Sequence, residues 1–302
     1  MSDSASGRRV LNAMTIDVED YFHVSVFDGL VPRQAWDTME SRVVDNTERM
    51  LDLFEEHDLR ATFFVLGWVA ERHRSLVRRI ASLGHEIASH GYAHRLVYDQ
   101  TPVAFRDDVR RSKALLEDAT GRVVAGYRAP SYSITPRSLW ALDILIEEGY
   151  SYDSSIFPIR HDRYGIPPSA RHPYVIRRPG GALIEAPGST TQMGPLNLPI
   201  GGGGYFRILP YAWTRWGIDR VNAVEQRAAI FYLHPWEIDP EQPRLHAGLL
   251  GSFRHYRNLD QTASRLRRLL AEFRFAPLAT VLNETSSLGD QLPLAAALPY
   301  VW

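Results

Sequence analysis

Cysteine is absent from this 302-residue chain. Its absence excludes disulfides and thiol chemistry, leaves the compartment unfixed by redox arguments, and requires any bound metal to be held by histidine and carboxylate. An excess of basic charge is also missing, with 34 Lys and Arg against 35 Asp and Glu and a net charge of -1. Phosphate binding favours a clear surplus of Lys and Arg, so nucleic acid is not expected as a partner. No run approaches the roughly 18 apolar residues of a membrane span, and the opening "MSDSASGRR" lacks the apolar stretch of a secretory signal. The chain as given is therefore expected to be cytoplasmic, without stable membrane insertion; its oligomeric state does not follow from one sequence. Internal repeats and low-complexity segments are missing too.

What is present describes a folded protein. Apolar residues make up 45% and charged residues 23% of the chain, enough for a sizeable core. The length suits two small domains or one α/β barrel. Residues 1–9 are polar and expected to be a flexible N-terminus. Strand-like runs follow at Val10 to Ile16, from Ala61 ("ATFFVLG"), from His85 ("HEIAS"), from Val124 ("VAGYRA") and from Ala228 ("AAIFYLH"). Helical patterns fall at about 44–57, 68–83, 101–119, 136–148 and 258–273, the third opening with Thr101 as N-cap and Pro102 in the first turn. Such alternation implies right-handed crossovers and a largely parallel sheet, open or closed into a barrel.

Between about 157 and 210 the rhythm breaks in a Pro- and Gly-rich stretch. Within it "HPYVIRRPGGALIEAP" reads as a hairpin turning at Gly180 and Gly181. A single domain over 10–283 with an inserted excursion at 157–210, then a tail over 284–302, is the economical organisation. Residues 201–207, "GGGGYFR", read either as a mobile flap with Arg207 at its tip or as a plain glycine loop.

The C-terminal ends of parallel strands converge on one rim, so chemistry is sought there. The strand ends carry "TIDVEDYFH" with Asp17, Glu19 and Asp20, "SHGYAH" with His90 and His94, "YRAPSY" with Arg128, and "FYLHPWEID" with His234, Glu237 and Asp239; "YSYDSSIFP" adds Asp153. Singly, each has a bland reading: an HxxxH surface pair, solvated acids, a structural salt bridge, a satisfied core histidine. Together, two histidines and a carboxylate are a recognised way to hold a catalytic metal. Side chains alternate along a strand, so Asp17 and Glu19 share a face.

The ordered set "TIDVED", "SHGYAH", "RAPSY", "DSS" and "FYLHPWE" resembles the motif series of the polysaccharide deacetylases, the NodB-like domain of carbohydrate esterase family 4. The region from "GGGGYFRILP" onward further resembles a bacterial subfamily linked to exopolysaccharide gene clusters. The resemblance implies a distorted (β/α) barrel of about seven parallel strands. It also implies a divalent metal, zinc being the expected one, and hydrolysis of the N-acetyl group of an amino sugar in a polysaccharide or its precursor. Carried over by residue, it makes Asp17 the catalytic base, His90 and His94 metal ligands, Arg128 the orienter of the base, His234 the general acid and Asp153 the carboxylate that orients it. The commonest first motif has adjacent aspartates, whereas Val18 follows Asp17 here; the metal carboxylate is then Glu19, by alternation, or Asp20 if a turn begins there. Ser131 stands where the third motif usually ends in an aromatic residue. Tyr21, Phe22, Tyr92, Tyr132, Trp236 and Tyr205 are candidates to stack on sugar, at least half of them also plausible as core. Two rivals remain at this point: an amidohydrolase of the same fold acting on a cyclic amide or ureide, and a carbohydrate-binding protein without catalysis.

Overall fold

The computed structural model describes residues 10–287; the N-terminus at 1–9 and the tail beyond 287 lie outside the described residues. Strand β1 (Leu11–Val18) is buried along all but its first residue, so it takes neighbours on both edges. The other strands are β2 (Thr62–Val65), β3 (Glu86–Ser89), β4 (Gly126–Tyr127), β5 (Tyr152–Asp153), β6 (Tyr174–Arg178), β7 (Gly181–Glu185), β8 (Thr190–Met193), β9 (Leu196–Pro199), β10 (Ile230–Leu233) and β11 (Arg274–Ala276). Strands β10, β1, β2, β3, β4, β5 and β7 run parallel in that spatial order, the arrangement expected of the barrel. β6 closes a hairpin on β7, β8 pairs with β9, and β11 lies parallel to the start of β1.

Alternation along β1 sorts its side chains. Met14, Ile16 and Val18 belong to the large outer cluster with Phe63 and Val65, beneath the helices Val43–Glu56, Pro102–Thr120 and Leu259–Glu272. Each large apolar side chain so buried contributes roughly 1.5–3 kcal/mol relative to exposure. Ala13 instead joins Phe64, Ala88, Tyr152, Ala186 and Ile230 in a second cluster, where Leu278, Val281 and Leu282 of the final helix also pack. That helix is anchored at the N-terminal ends of the strands, where Leu278 N–H donates to Thr62 Oγ1 and Ala279 N–H to Glu86 Oε2. The opposite rim is left for the polar residues.

Three expectations need correction. The helical pattern at 68–83 is two helices, Gly67–Arg72 and Arg74–Ser82, broken at His73. The excursion at 157–210 is not an insertion beside the barrel, because its β7 pairs in parallel with β5 and extends the sheet. Residues 201–207 are neither flap nor open loop. Between β7 and β10, Tyr232 N–H donates to Gly201 O (2.7 Å) and Ile230 N–H to Ser189 Oγ (2.6 Å), closing the ring without a regular ladder. A Cβ on Gly202 would lie 1.8 Å from Tyr232 O at φ 117°, so only glycine permits this approach. Gly203–Ile208 then forms a short helix whose Arg207 is buried.

Candidate active site

The loop after β3 carries the two imidazoles. His90 N–H extends the ladder to Val65 O, and Gly91 (φ 72°) reverses the chain where a Cβ would meet Asp108 Oδ1 at 2.8 Å. The same Asp108 carboxylate accepts from Tyr92 N–H (2.7 Å) and Ala93 N–H (3.2 Å), fixing the loop on the helix Pro102–Thr120. His94 is thereby held at φ 48°, an uncommon conformation for a non-glycine residue. His90 Nδ1 donates to Arg128 O (2.8 Å), since a carbonyl can only accept, and its Nε2 lone pair is left facing the site. Burial drives the His90 pKa down to about 4, which keeps the imidazole neutral and able to ligate.

Glu19, not Asp20, turns toward these rings. Its Oε2 lies 2.8 Å from His94 Nε2 and 4.0 Å from His90 Nε2, and one donor atom from each of the three residues falls within 4.8 Å of the others. Burial opposes the charge on Glu19, yet His94, His234 and His90 hold its pKa well below the carboxylate range. Oε2 nevertheless has no hydrogen bond of good geometry. A buried anionic oxygen facing two imidazole nitrogens fits a divalent cation with open positions. Asp20 is committed elsewhere: its carboxylate accepts from Tyr21 N–H, Ser41 Oγ, Arg42 N–H and Val43 N–H, while its own N–H donates to His23 Nδ1.

Asp17 shares the inward face of β1 with Thr15. Arg128, fully buried, donates from Nη1 to Asp17 Oδ1 (2.7 Å) and Thr15 Oγ1 (2.9 Å), and from Nη2 to Ser154 Oγ (3.0 Å). One carboxylate oxygen is thus fixed, and Asp17 Oδ2 faces His234 Nε2 across 3.8 Å.

His234 is oriented by a residue other than the expected one. Its Nδ1 donates to Glu237 Oε1 (2.7 Å), and Arg207 Nε, from the helix after the glycines, donates to Glu237 Oε2 (2.5 Å). Arg207 is itself fixed by the carbonyls of His255 and Arg257. Burial disfavours the imidazolium, but Glu19, Glu237 and Asp17 outweigh it and push the His234 pKa up to about 9. Asp153 is a correction: it accepts from Ser155 Oγ (2.5 Å) and stands in register beside Glu185 on β7. Burial raises both carboxyls, and the neighbouring Asp153 charge raises Glu185 further, so this pair belongs to the barrel wall. Asp239 likewise serves the frame, bound by Arg42 and Asn46.

Of the aromatic candidates, Tyr21, Phe22, Tyr132 and Trp236 are buried. Trp236 stacks on His234 at 5.1 Å and donates to Glu19 Oε1 at 3.3 Å, joining acid and metal corner. Tyr92 is turned to Glu71 and Arg111. Tyr205 remains half-buried, its hydroxyl 3.1 Å from that of Tyr164, a ring not anticipated from sequence that packs with Tyr132, Phe157 and Tyr232 beside the site. Clefts lined by His85, Val124 and Thr280, or by Asn222 and Arg274, open toward the N-terminal strand ends, and it is convergent donors that mark this site.

Residues 32–146 match the family described as polysaccharide deacetylase, and residues 154–283 match a domain of unknown function, DUF3473. Over residues 32–146 the chain is thus similar to the polysaccharide deacetylases. The peptidoglycan deacetylase of Helicobacter pylori is 32% identical over 108 residues, which are 36% of this chain and 36% of that protein, so the match spans about a third of the relative. In overall fold the chain is similar to a putative polysaccharide deacetylase from Mycobacterium smegmatis (21% identity, 97% of this chain and 95% of that one, TM-score 0.64). It is also similar to PuuE allantoinase (17% identity, 93% and 92%, TM-score 0.61). The deacetylase match contains His90, His94 and Arg128, whereas Arg207, His234 and Glu237 fall in the segment of unknown function and Asp17 and Glu19 precede both.

Proposed function

We propose that this protein is a metal-dependent hydrolase that removes the N-acetyl group from an amino sugar of a polysaccharide or its precursor. The convergence of Asp17 and His234 beside the Glu19, His90 and His94 donor set carries this reading. A divalent cation, zinc by donor type, would be held by those three residues and would supply carbonyl polarisation and a more acidic water. Asp17, its other oxygen fixed by Arg128, takes the proton of the attacking water through Oδ2. Ser131 and Tyr132 both sit at φ 52°, and the Ser131 N–H is assigned to the developing oxyanion. His234 then protonates the departing amine through Nε2, giving acetate and a free amino sugar. Tyr205 offers a ring face to the saccharide. A role in exopolysaccharide synthesis follows from the resemblance of the C-terminal segment.

The completeness of the acid and base favours catalysis over a binding-only role. The likeness to allantoinase is one of fold, and nothing in the site selects a cyclic amide. The test is acetate release from N-acetylated chito-oligosaccharides and peptidoglycan fragments by zinc-loaded protein. Turnover that disappears on chelation and returns with the metal is expected; no acetate from any N-acetylated saccharide by fully loaded protein overturns the reading.

Glu237 is assigned as the positioning residue for His234. Glu237→Gln retains an acceptor but removes the charge, so kcat is expected to fall about 10–100-fold with KM little changed. The general acid must be protonated, and loss of Glu237 lowers its pKa. The alkaline limb of the pH-rate profile should therefore move to lower pH; an unmoved limb refutes the assignment.

A further inference from the structure

The helix Gly248–Tyr256 has two unlike faces. On the inner face His255 is buried, stacked on Trp236 at 4.4 Å and edge-on to Phe27 at 4.8 Å. Because Trp236 stacks on His234, the helix braces the site through two rings. On the outer face Leu249, Leu250 and Phe253 are 95%, 63% and 47% exposed. Scattered exposed apolar residues are ordinary, but three on adjacent positions of one short helix form a patch.

The charge along this stretch of chain is one-sided. From Gln242 to Leu259 the chain has no acidic residue and carries exposed Arg244, Arg254 and Arg257. Arg244 lies over the Tyr256 ring at 4.3 Å and Arg257 over Phe253 at 5.6 Å, and among the described residues none of the three is ion-paired. Some surface arginines elsewhere are matched by acids, as Arg106 is by Glu147 and Glu148 and Arg111 by Glu71. Leucine and phenylalanine flanked by unmatched arginines suit the boundary between acyl chains and anionic headgroups, where guanidinium also binds phosphate well.

We propose that this face docks the protein on an anionic lipid bilayer surface. The helix lies in the headgroup layer, with Leu249, Leu250 and Phe253 reaching the acyl boundary and the three arginines at lipid phosphates. The contact is peripheral, since among the described residues no helix is long and apolar enough to cross a membrane. Docking there sets the helix that supports the general acid on the bilayer, which favours a saccharide carried on lipid. The binding event itself does not depend on the deacetylase reading, and it is measured without substrate.

The experiment is co-sedimentation of the full chain with phosphatidylcholine vesicles, with and without one third phosphatidylglycerol. Wild type is expected to bind the anionic vesicles at an ionic strength of about 0.1 M and to release as salt is raised toward about 0.5 M. Leu249→Ser with Leu250→Ser should weaken binding at least about tenfold, and Arg254→Gln about fivefold. These side chains are exposed, so the near-UV circular dichroism of each variant should match wild type. The proposal is overturned if wild type ignores anionic vesicles, binds neutral ones equally well, or loses nothing in the leucine variant. A monomer–dimer equilibrium abolished by the leucine variant, without vesicle binding, would assign the face to a second copy and equally overturn it.

Discussion

Asp17→Asn is expected to lower acetate release by roughly 10²–10⁴-fold, the usual contribution of a positioned base. The substitution separates two duties of one carboxylate. Its Oδ1 accepts from Arg128 at 2.7 Å, and an amide oxygen can keep that bond. Its Oδ2, facing the site 3.8 Å from His234 Nε2, becomes a group that cannot take a proton. Arg128 is fully buried and loses its charged partner, so some stability is lost, on the order of 1–3 kcal/mol. Activity must therefore be compared in protein shown to be folded by circular dichroism and loaded by metal analysis. Turnover near the wild-type rate under those conditions removes Asp17 as base.

A larger loss is expected from His94→Ala, because it removes a ligand rather than a proton acceptor. Glu19 Oε2 loses the nitrogen 2.8 Å away, and only His90 remains to complete the donor set. Outer contacts of metal ligands commonly contribute 10–100-fold in affinity, so deletion of a ligand itself should exceed about 100-fold. Elemental analysis should find near-stoichiometric metal in wild type and little in the variant, with acetate release at background. A second readout is independent of substrate. Metal at about 100 times its Kd should stabilise wild type by about 2.7 kcal/mol, and that gain should be missing in His94→Ala. Equal metal content in both proteins would show that the cation is held elsewhere.

Legibility followed the range of the interactions. Short apolar runs located β1, β2, β3 and β10, because burial on both faces leaves a short-range imprint. The rim positions of Asp17, Glu19, His90, His94, Arg128 and His234 followed from strand ends. Choosing Glu19 over Asp20 needed only side-chain alternation. The partner of His234 was misread, although "HPWE" held a signal: proline followed by glutamate at the third helical position is the pattern of a capping box, and His234 and Glu237 form one. Arg207 left no such trace, being 30 positions from Glu237 and placed by a helix hidden behind four glycines. Strand β7 was read as half of a hairpin, which it is; its parallel pairing with β5 is a long-range fact that its composition does not encode. Tyr164 lay in an irregular segment without periodicity.

The pairing of β1 with β10 has a consequence for how the molecule reaches activity. Thr15 Oγ1 donates to Phe231 O across 216 positions of chain. Contacts of that separation are entropically costly to form early, and topologies rich in them fold slowly. The base and metal donors emerge with the first third of the chain, but the acid His234 cannot face them until this last closure is made. A nascent or nicked chain therefore holds metal-binding side chains without the means to turn over substrate. In refolding, recovery of acetate release should lag recovery of helical signal, and the interval between the two times the meeting of the distant parts of the chain.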